Sequence, residues 1–154
     1  MMRIYTVGYG ALQTTARLQH ILTEHKVQIL FDVRSNVTGL YMKHGFDGPT
    51  IRAAIEPGIV YVHEARLGYK WKGPGTKHPD WRKALDELQV IVAGNTTVCL
   101  MCAEADPLTC HRGMWLQTEL EARLIEVDHI ETARTKSKQQ RLAGLFTFWF
   151  IGGT

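Results

Sequence analysis

Apolar and polar positions along the chain alternate between two spacings. Residues 3–7 (RIYTV), 28–33 (QILFDV), 58–63 (GIVYVH) and 96–101 (TTVCLM) are short runs of strand character. The second is almost continuously apolar, as expected of a strand covered on both faces. Between these runs the spacing changes to threes and fours. Ala11, Leu18, Ile21 and Leu22 fall on one side of a helix capped by Thr14 or Thr15, and Pro49-Thr50 opens a short helix through Ile55. A third helix starts near Pro79-Asp80, carries Leu85, Leu88 and Val92, and is stopped by Gly94-Asn95. Residues 107–124 predict a fourth. Leu116, Leu120 and Leu124 mark its packing face, and Gly113 allows close approach. Residues 126–130 predict a fifth strand.

Strands alternating with helices at this spacing predict an α/β fold, a single layered domain with a mainly parallel β-sheet flanked by helices. Residues 1–131 form that domain in this reading. Residues 132–154 are a basic, then aromatic, C-terminal extension that packs on the domain or on a partner. In parallel sheets ligands bind beyond the carboxyl ends of the strands. Four turns are placed there: Gly8-Tyr9-Gly10, Asp32-Val33-Arg34-Ser35, the stretch from His63 to Gly68, and the segment MCAEADPLTCHR at 101–112.

Composition narrows the setting. A chain of 154 residues, 45% hydrophobic and 21% charged, is one ordinary globular domain. No apolar run reaches the roughly 18 to 20 residues of a membrane span, and the first residues lack the apolar stretch of a secretory signal. Three cysteines are an odd number and a poor disulfide framework. The expectation is a cytoplasmic protein without a membrane partner. Net charge is only +3, but the positive charge is local. Lys70, Lys72, Lys77, Arg82 and Lys83 face the single acid Asp80 in a stretch that also holds Tyr69, Trp71, His78 and Trp81. Arg134, Lys136, Lys138 and Arg141 follow Glu131 with no acid among them. Such patches favour an anionic partner, a phosphate-bearing small molecule or a nucleic acid.

Within 101–112, Asp106-Pro107 reads as a helix start, with an acceptor at the cap and a proline where no N–H is needed. Cys102 then ends a strand and Cys110 lies in the first helical turn. On a regular helix Cys110 and Arg112 flank the packing face and His111 points nearly opposite, which separates the three side chains.

The chain resembles the bacterial and archaeal group known as domain-of-unknown-function family 488. The matching pieces, in the family's order, are Thr6-Val7-Gly8-Tyr9-Gly10, Asp32-Val33-Arg34-Ser35, Phe46, Tyr61-Val62-His63 leading to Leu67-Gly68, and Cys102-Ala103-Glu104 through Cys110-His111-Arg112. The resemblance implies a compact α/β domain with these turns gathered at one site, and it implies no particular reaction or cofactor. The family pattern commonly carries a further Ser-Arg pair soon after Asp-Val-Arg, where this chain reads Asn36-Val37-Thr38-Gly39-Leu40. If that arginine holds an anion, this chain must substitute Lys43 or the basic loop, or bind something different.

Three chemistries compete at this edge. An anion cradle would use Arg34 and Arg112 as forks, with Asp32 or Glu104 as acid, base or orienting partner; structural ion pairs are the plainer alternative. Gly8, Tyr9, Gly10, Ser35, His63, Cys102 and His111 complete its lining. A reactive thiol would use Cys110, favoured as thiolate beside arginine. The spacing is not that of a cysteine followed six residues later by arginine, because Leu108 stands there after Cys102. A metal site would need Cys102, Cys110, His111 and His63, but no paired ligand spacing is present, so no metal ligand is assigned. The loop with Lys70, Trp71, Lys72, Lys77 and Trp81 is either a phosphate-tracking lid or a solvated connection. The leading expectation is a phosphate-bearing ligand at the carboxyl edge, in an enzyme or in a non-catalytic nucleic-acid-binding module. A thiol- or metal-dependent enzyme using Cys102 and Cys110 is the further alternative.

Overall fold

A computed structural model describes residues 2–39 and 45–132. Five strands, β1 (Met2–Gly8), β2 (Ile29–Asp32), β3 (Val60–His63), β4 (Val98–Cys102) and β5 (Ile125–His129), form one sheet in the order β3-β2-β4-β1-β5. Every pairing is parallel. Four helices flank it: α1 (Thr15–Glu24), α2 (Gly48–Ile55), α3 (Trp81–Ala93) and α4 (Gln117–Ala122). This is the α/β layered fold expected from the alternating spacings. No helix among the described residues is long and apolar enough to cross a membrane.

Side-chain alternation in the strands feeds two cores. Leu18, Ile21 and Leu22 of α1 and Ile51 and Ile55 of α2 pack with Leu30, Cys99 and Met101 on one face. Leu85, Leu88 and Val92 of α3 pack with Leu116, Leu120, Ile4, Phe31 and Leu100 on the other. β4, buried at every position, is the wall between them. Caps lie close to where the sequence puts them. Thr14 accepts the Arg17 N–H at 3.2 Å, and Asp47, one turn earlier than Thr50, accepts the Thr50 N–H at 3.2 Å.

The segment 107–124 departs from expectation. Instead of one regular helix it contains a 3₁₀ turn, Pro107–Thr109, an extended residue at Cys110 (φ −126°, ψ 150°), a π-helical turn, Arg112–Leu116, and only then α4. Asp106 does cap the start, accepting the Leu108 N–H at 2.9 Å. At Gly113 any Cβ would overlap the Pro107 carbonyl, so the two turns press together only because that residue is glycine. Two readings are corrected by this break. Cys110 is not in a first helical turn, and Leu124, at φ 61° and 80% exposed, lies beyond the packing face that Leu116 and Leu120 share.

Lys43, the basic residues 134–141 and the aromatic run 146–151 lie outside the described residues, and with them the readings placed on the C-terminal extension.

Candidate functional site

β4 ends at Cys102, paired in register with Gly8 of β1. The chain then doubles back through 103–111, and Arg112 returns its side chain under the turn just made. Its guanidinium is fully buried. Nε–H donates to Cys102 Sγ at 3.1 Å, Nη1 to Thr6 Oγ1 at 2.8 Å, and Nη2 to the carbonyls of Glu104 at 2.6 Å and Ala105 at 3.2 Å. A Cβ at Gly8 would strike the Glu104 carbonyl and that guanidinium, and one at Gly10 would crowd the Ala103 carbonyl. The glycines of the first turn thus make room for backbone and arginine. Among the described residues Arg112 forms no ion pair, and burial pushes its pKa down to about 10.

Cys102 Sγ and Cys110 Sγ meet in this turn, close enough to be joined as a disulfide. His111 stands beside them: its Nδ1 lies 3.7 Å from Cys110 Sγ, and its Nε2 lies 3.1 Å from the Val33 carbonyl. A carbonyl accepts only, so Nε2 carries the proton and the Nδ1 lone pair faces the sulfur. Burial lowers the His111 pKa and keeps the ring neutral. Cys102 and Cys110 are 2% and 4% exposed. The two sulfurs and one imidazole nitrogen lie within 4.8 Å of one another. The regular-helix expectation, with His111 turned away, fails here because Cys110 is extended and a wider turn follows it.

Asp32 and Arg34 form a separate buried unit. Arg34 Nε and Nη2 grip the two Asp32 oxygens at 2.8 and 2.6 Å, Tyr61 Oη donates to Asp32 Oδ2 at 2.6 Å, and Arg34 Nη1 donates to the Phe46 carbonyl at 2.8 Å. Arg34 also sits over the Tyr9 ring, which stacks on Phe46. Burial, then the Asp32 carboxylate, raises the Tyr61 pKa and keeps it protonated. His63 Nε2 lies 2.8 Å from the Arg34 carbonyl, and Ser35 Oγ accepts the Lys70 N–H at 3.1 Å. These contacts pin the turn after β2 to β3 and to the basic loop.

The basic loop packs on His111 and on the indoles of Trp115 and Trp81. Tyr69 stacks with His111 (6.1 Å between centroids) and Trp115 (5.5 Å). Lys77 lies over Trp81 (5.0 Å) and Trp115 (4.8 Å), and Lys72 over Trp71 (4.5 Å), a cation–π use of lysine. Trp71 stays 45% exposed, whereas Trp81 is buried as the first residue of α3.

Of the predicted set, the structure therefore gathers Cys102, Cys110, His111 and Arg112, with Gly8 and Gly10 beneath them. Asp32, Arg34, Tyr9, Ser35 and His63 form the neighbouring unit. Glu104 enters through its carbonyl oxygen, while the residue itself is exposed. Thr6, His129 and Gln117 lie outside the predicted set. Thr6 Oγ1 accepts a hydrogen bond from Arg112 Nη1 and shares another with His129 Nδ1, and His129 Nε2 lies 2.8 Å from Gln117 Oε1. Burial and the nearby Arg112 push His129 down to about 4. The hint in the sequence was Thr6 itself, a polar residue on β1 and the first of the motif that runs to Gly10. A groove of about 1120 Å³ lies at the opposite, amino edge of the sheet, lined by Met2, Tyr5 and Ile125 among others, and holds none of the predicted site residues.

The family model described as Domain of unknown function DUF488 matches residues 75–118, a stretch that contains Cys102, Cys110, His111 and Arg112, and it supports the resemblance read from that last motif. No curated protein and no solved structure matches the chain significantly.

Proposed function

We propose that this chain, which is similar to the DUF488 family over residues 75–118, works through its cysteine pair as a redox-active dithiol that is oxidised by a small hydroperoxide. The observation that carries the reading is the meeting of Cys102 and Cys110 between a buried guanidinium and an imidazole lone pair. Arg112, donating to Cys102 Sγ, favours the thiolate there, and the His111 Nδ1 lone pair is placed to accept the Cys110 proton. The Cys102 thiolate attacks the terminal oxygen of the hydroperoxide, the O–O bond breaks, and the other oxygen leaves as hydroxide or alkoxide, so that Cys102 becomes a sulfenic acid. Cys110 sulfur then attacks Cys102 sulfur and the S–O bond breaks. The departing hydroxide takes the Cys110 proton by way of His111 and leaves as water. The dithiol has lost two electrons and the peroxide has gained them. Burial of both sulfurs selects a small oxidant over a protein disulfide.

Treating the reduced native protein with one equivalent of hydrogen peroxide is expected to consume two of its three thiols and lower its mass by two hydrogens. Cys110→Ser is expected to stop at a trapped sulfenic acid on Cys102. Thiols that oxidise no faster in the native protein than in the unfolded chain would overturn the reading.

A second reading, binding of a phosphate-bearing ligand by the basic loop, is favoured by the half-exposed Trp71 amid Lys70, Lys72, Lys77, Arg82 and Lys83, none of which forms an ion pair among the described residues. It no longer leans on Arg34 and Arg112, whose guanidiniums are engaged inside the fold. On this reading a Lys70→Ala, Lys72→Ala, Lys77→Ala variant lowers the slope of log affinity for single-stranded DNA against log salt by about 2, at roughly 0.7 per lost contact. An unchanged slope counts against it.

A further inference from the structure

We infer that Cys102, Cys110 and His111 form a binding site for a thiophilic divalent metal ion of the zinc class, filled when the two thiols are reduced. The inference rests on the dithiol reading above and names what regulates that pair. The donor set is two sulfurs and one imidazole nitrogen within 4.8 Å of one another, which is soft enough to prefer zinc over magnesium or calcium. Two thiolates neutralise the ion's charge, and binding releases whatever proton either sulfur still carries.

What surrounds the donors matches what metal-binding side chains require. The Val33 carbonyl accepts from His111 Nε2 at 3.1 Å, which leaves Nδ1, 3.7 Å from Cys110 Sγ, as the nitrogen for the ion. Arg112 Nε–H donates to Cys102 Sγ at 3.1 Å, a bond that a thiolate ligand accepts without losing its remaining electron pairs. The connecting turn is fixed independently of any ion. Asp106 caps it, and Thr109 Oγ1 donates to the Asp106 carbonyl at 3.0 Å. Among the described residues no fourth histidine, cysteine or carboxylate joins the group. Three protein ligands leave a fourth tetrahedral position for water or a small ligand, the arrangement of exchangeable rather than closed zinc sites. Disulfide formation and metal binding use the same sulfur electron pairs, so each excludes the other. Zinc would protect the thiols from peroxide, and peroxide would expel zinc.

The test is anaerobic titration of the full reduced chain with cobalt(II), read by thiolate-to-cobalt charge-transfer absorption, followed by competition with zinc(II). One equivalent is expected to bind, zinc to displace it, and Cys102→Ser or Cys110→Ser to abolish the charge-transfer band. His111→Ala is expected to weaken binding at least tenfold while leaving both sulfur ligands. Protein oxidised beforehand is expected to bind none. Circular dichroism of each variant reports whether it has folded. Absence of a charge-transfer band in reduced, folded wild type whose thiols still react with peroxide overturns the metal site and leaves the dithiol reading standing. Absence of both the band and the peroxide reaction overturns the two together. Binding that survives loss of either cysteine overturns the assigned ligands.

Discussion

Asp32→Ala is expected to destabilise the protein by about 3–5 kcal/mol, the cost of leaving a buried charge without its partner. Asp32 is fully buried and Arg34 is 7% exposed. The variant strands the Arg34 guanidinium in the core and takes the acceptor from Tyr61 Oη as well. Urea unfolding checks it: the midpoint should fall with little change in slope. Asp32→Leu combined with Arg34→Met should recover much of the loss, because an apolar pair of similar volume has no charge left to desolvate. A cost below about 1 kcal/mol for Asp32→Ala would mean that the pair does not hold the turn together, and would return Arg34 to consideration as a ligand-binding group.

Arg112→Met is expected to slow peroxide oxidation of Cys102 by about tenfold or more at neutral pH, one pKa unit in the thiol corresponding to a factor of ten in thiolate. The reason is the Nε–H donated to Cys102 Sγ, beside a cation whose other donors go to neutral oxygens. A stability loss of about 1–3 kcal/mol should accompany it, as the Thr6 hydroxyl and the Glu104 and Ala105 carbonyls lose their donor. The readout that separates thiolate activation from a merely structural role is the pH profile of the oxidation rate. If Arg112 activates the thiolate, the variant's rate should climb toward wild type as pH rises through the ordinary thiol range. A deficit that is the same at every pH would show that Arg112 only holds the turn.

Arg34 and Arg112 look alike in the sequence, each a basic residue at the carboxyl edge with an acid earlier in the same turn segment. Their roles diverge because one meets a carboxylate and the other does not. Asp32 lies two residues before Arg34, and a bidentate grip between such neighbours is a local option that the sequence offers as readily as an anion site. The nearest acid to Arg112 along the chain, Asp106, turns its side chain to the Leu108 N–H, and Arg112 meets two carbonyls, a hydroxyl and a sulfur. No pattern of residue types encodes that choice; it follows from where the backbone bends after Cys102.

The strands and α1 to α3 were legible because each obeys a single period over enough residues, and their caps and stops are local chemistry. The segment 107–124 was legible only in part. Pro107 and Asp106 do start a turn, but the period breaks at Cys110, and Gly113, read as a contact with the sheet, serves a contact with Pro107. A wheel drawn through such a break rotates every later side chain to the wrong side, which is why His111 was placed away from the cysteines.

From the sequence alone come the layered α/β class, the gathering of four turns at the carboxyl edge, and the presence there of two cysteines, a histidine and two arginines. Only the tertiary structure decides which of these meet. The parallel register that sets Cys102 beside Gly8, the extended residue at Cys110 and the return of Arg112 beneath the turn are long-range or irregular features. They arise from packing and from backbone donors and acceptors needing partners, terms that no local period carries.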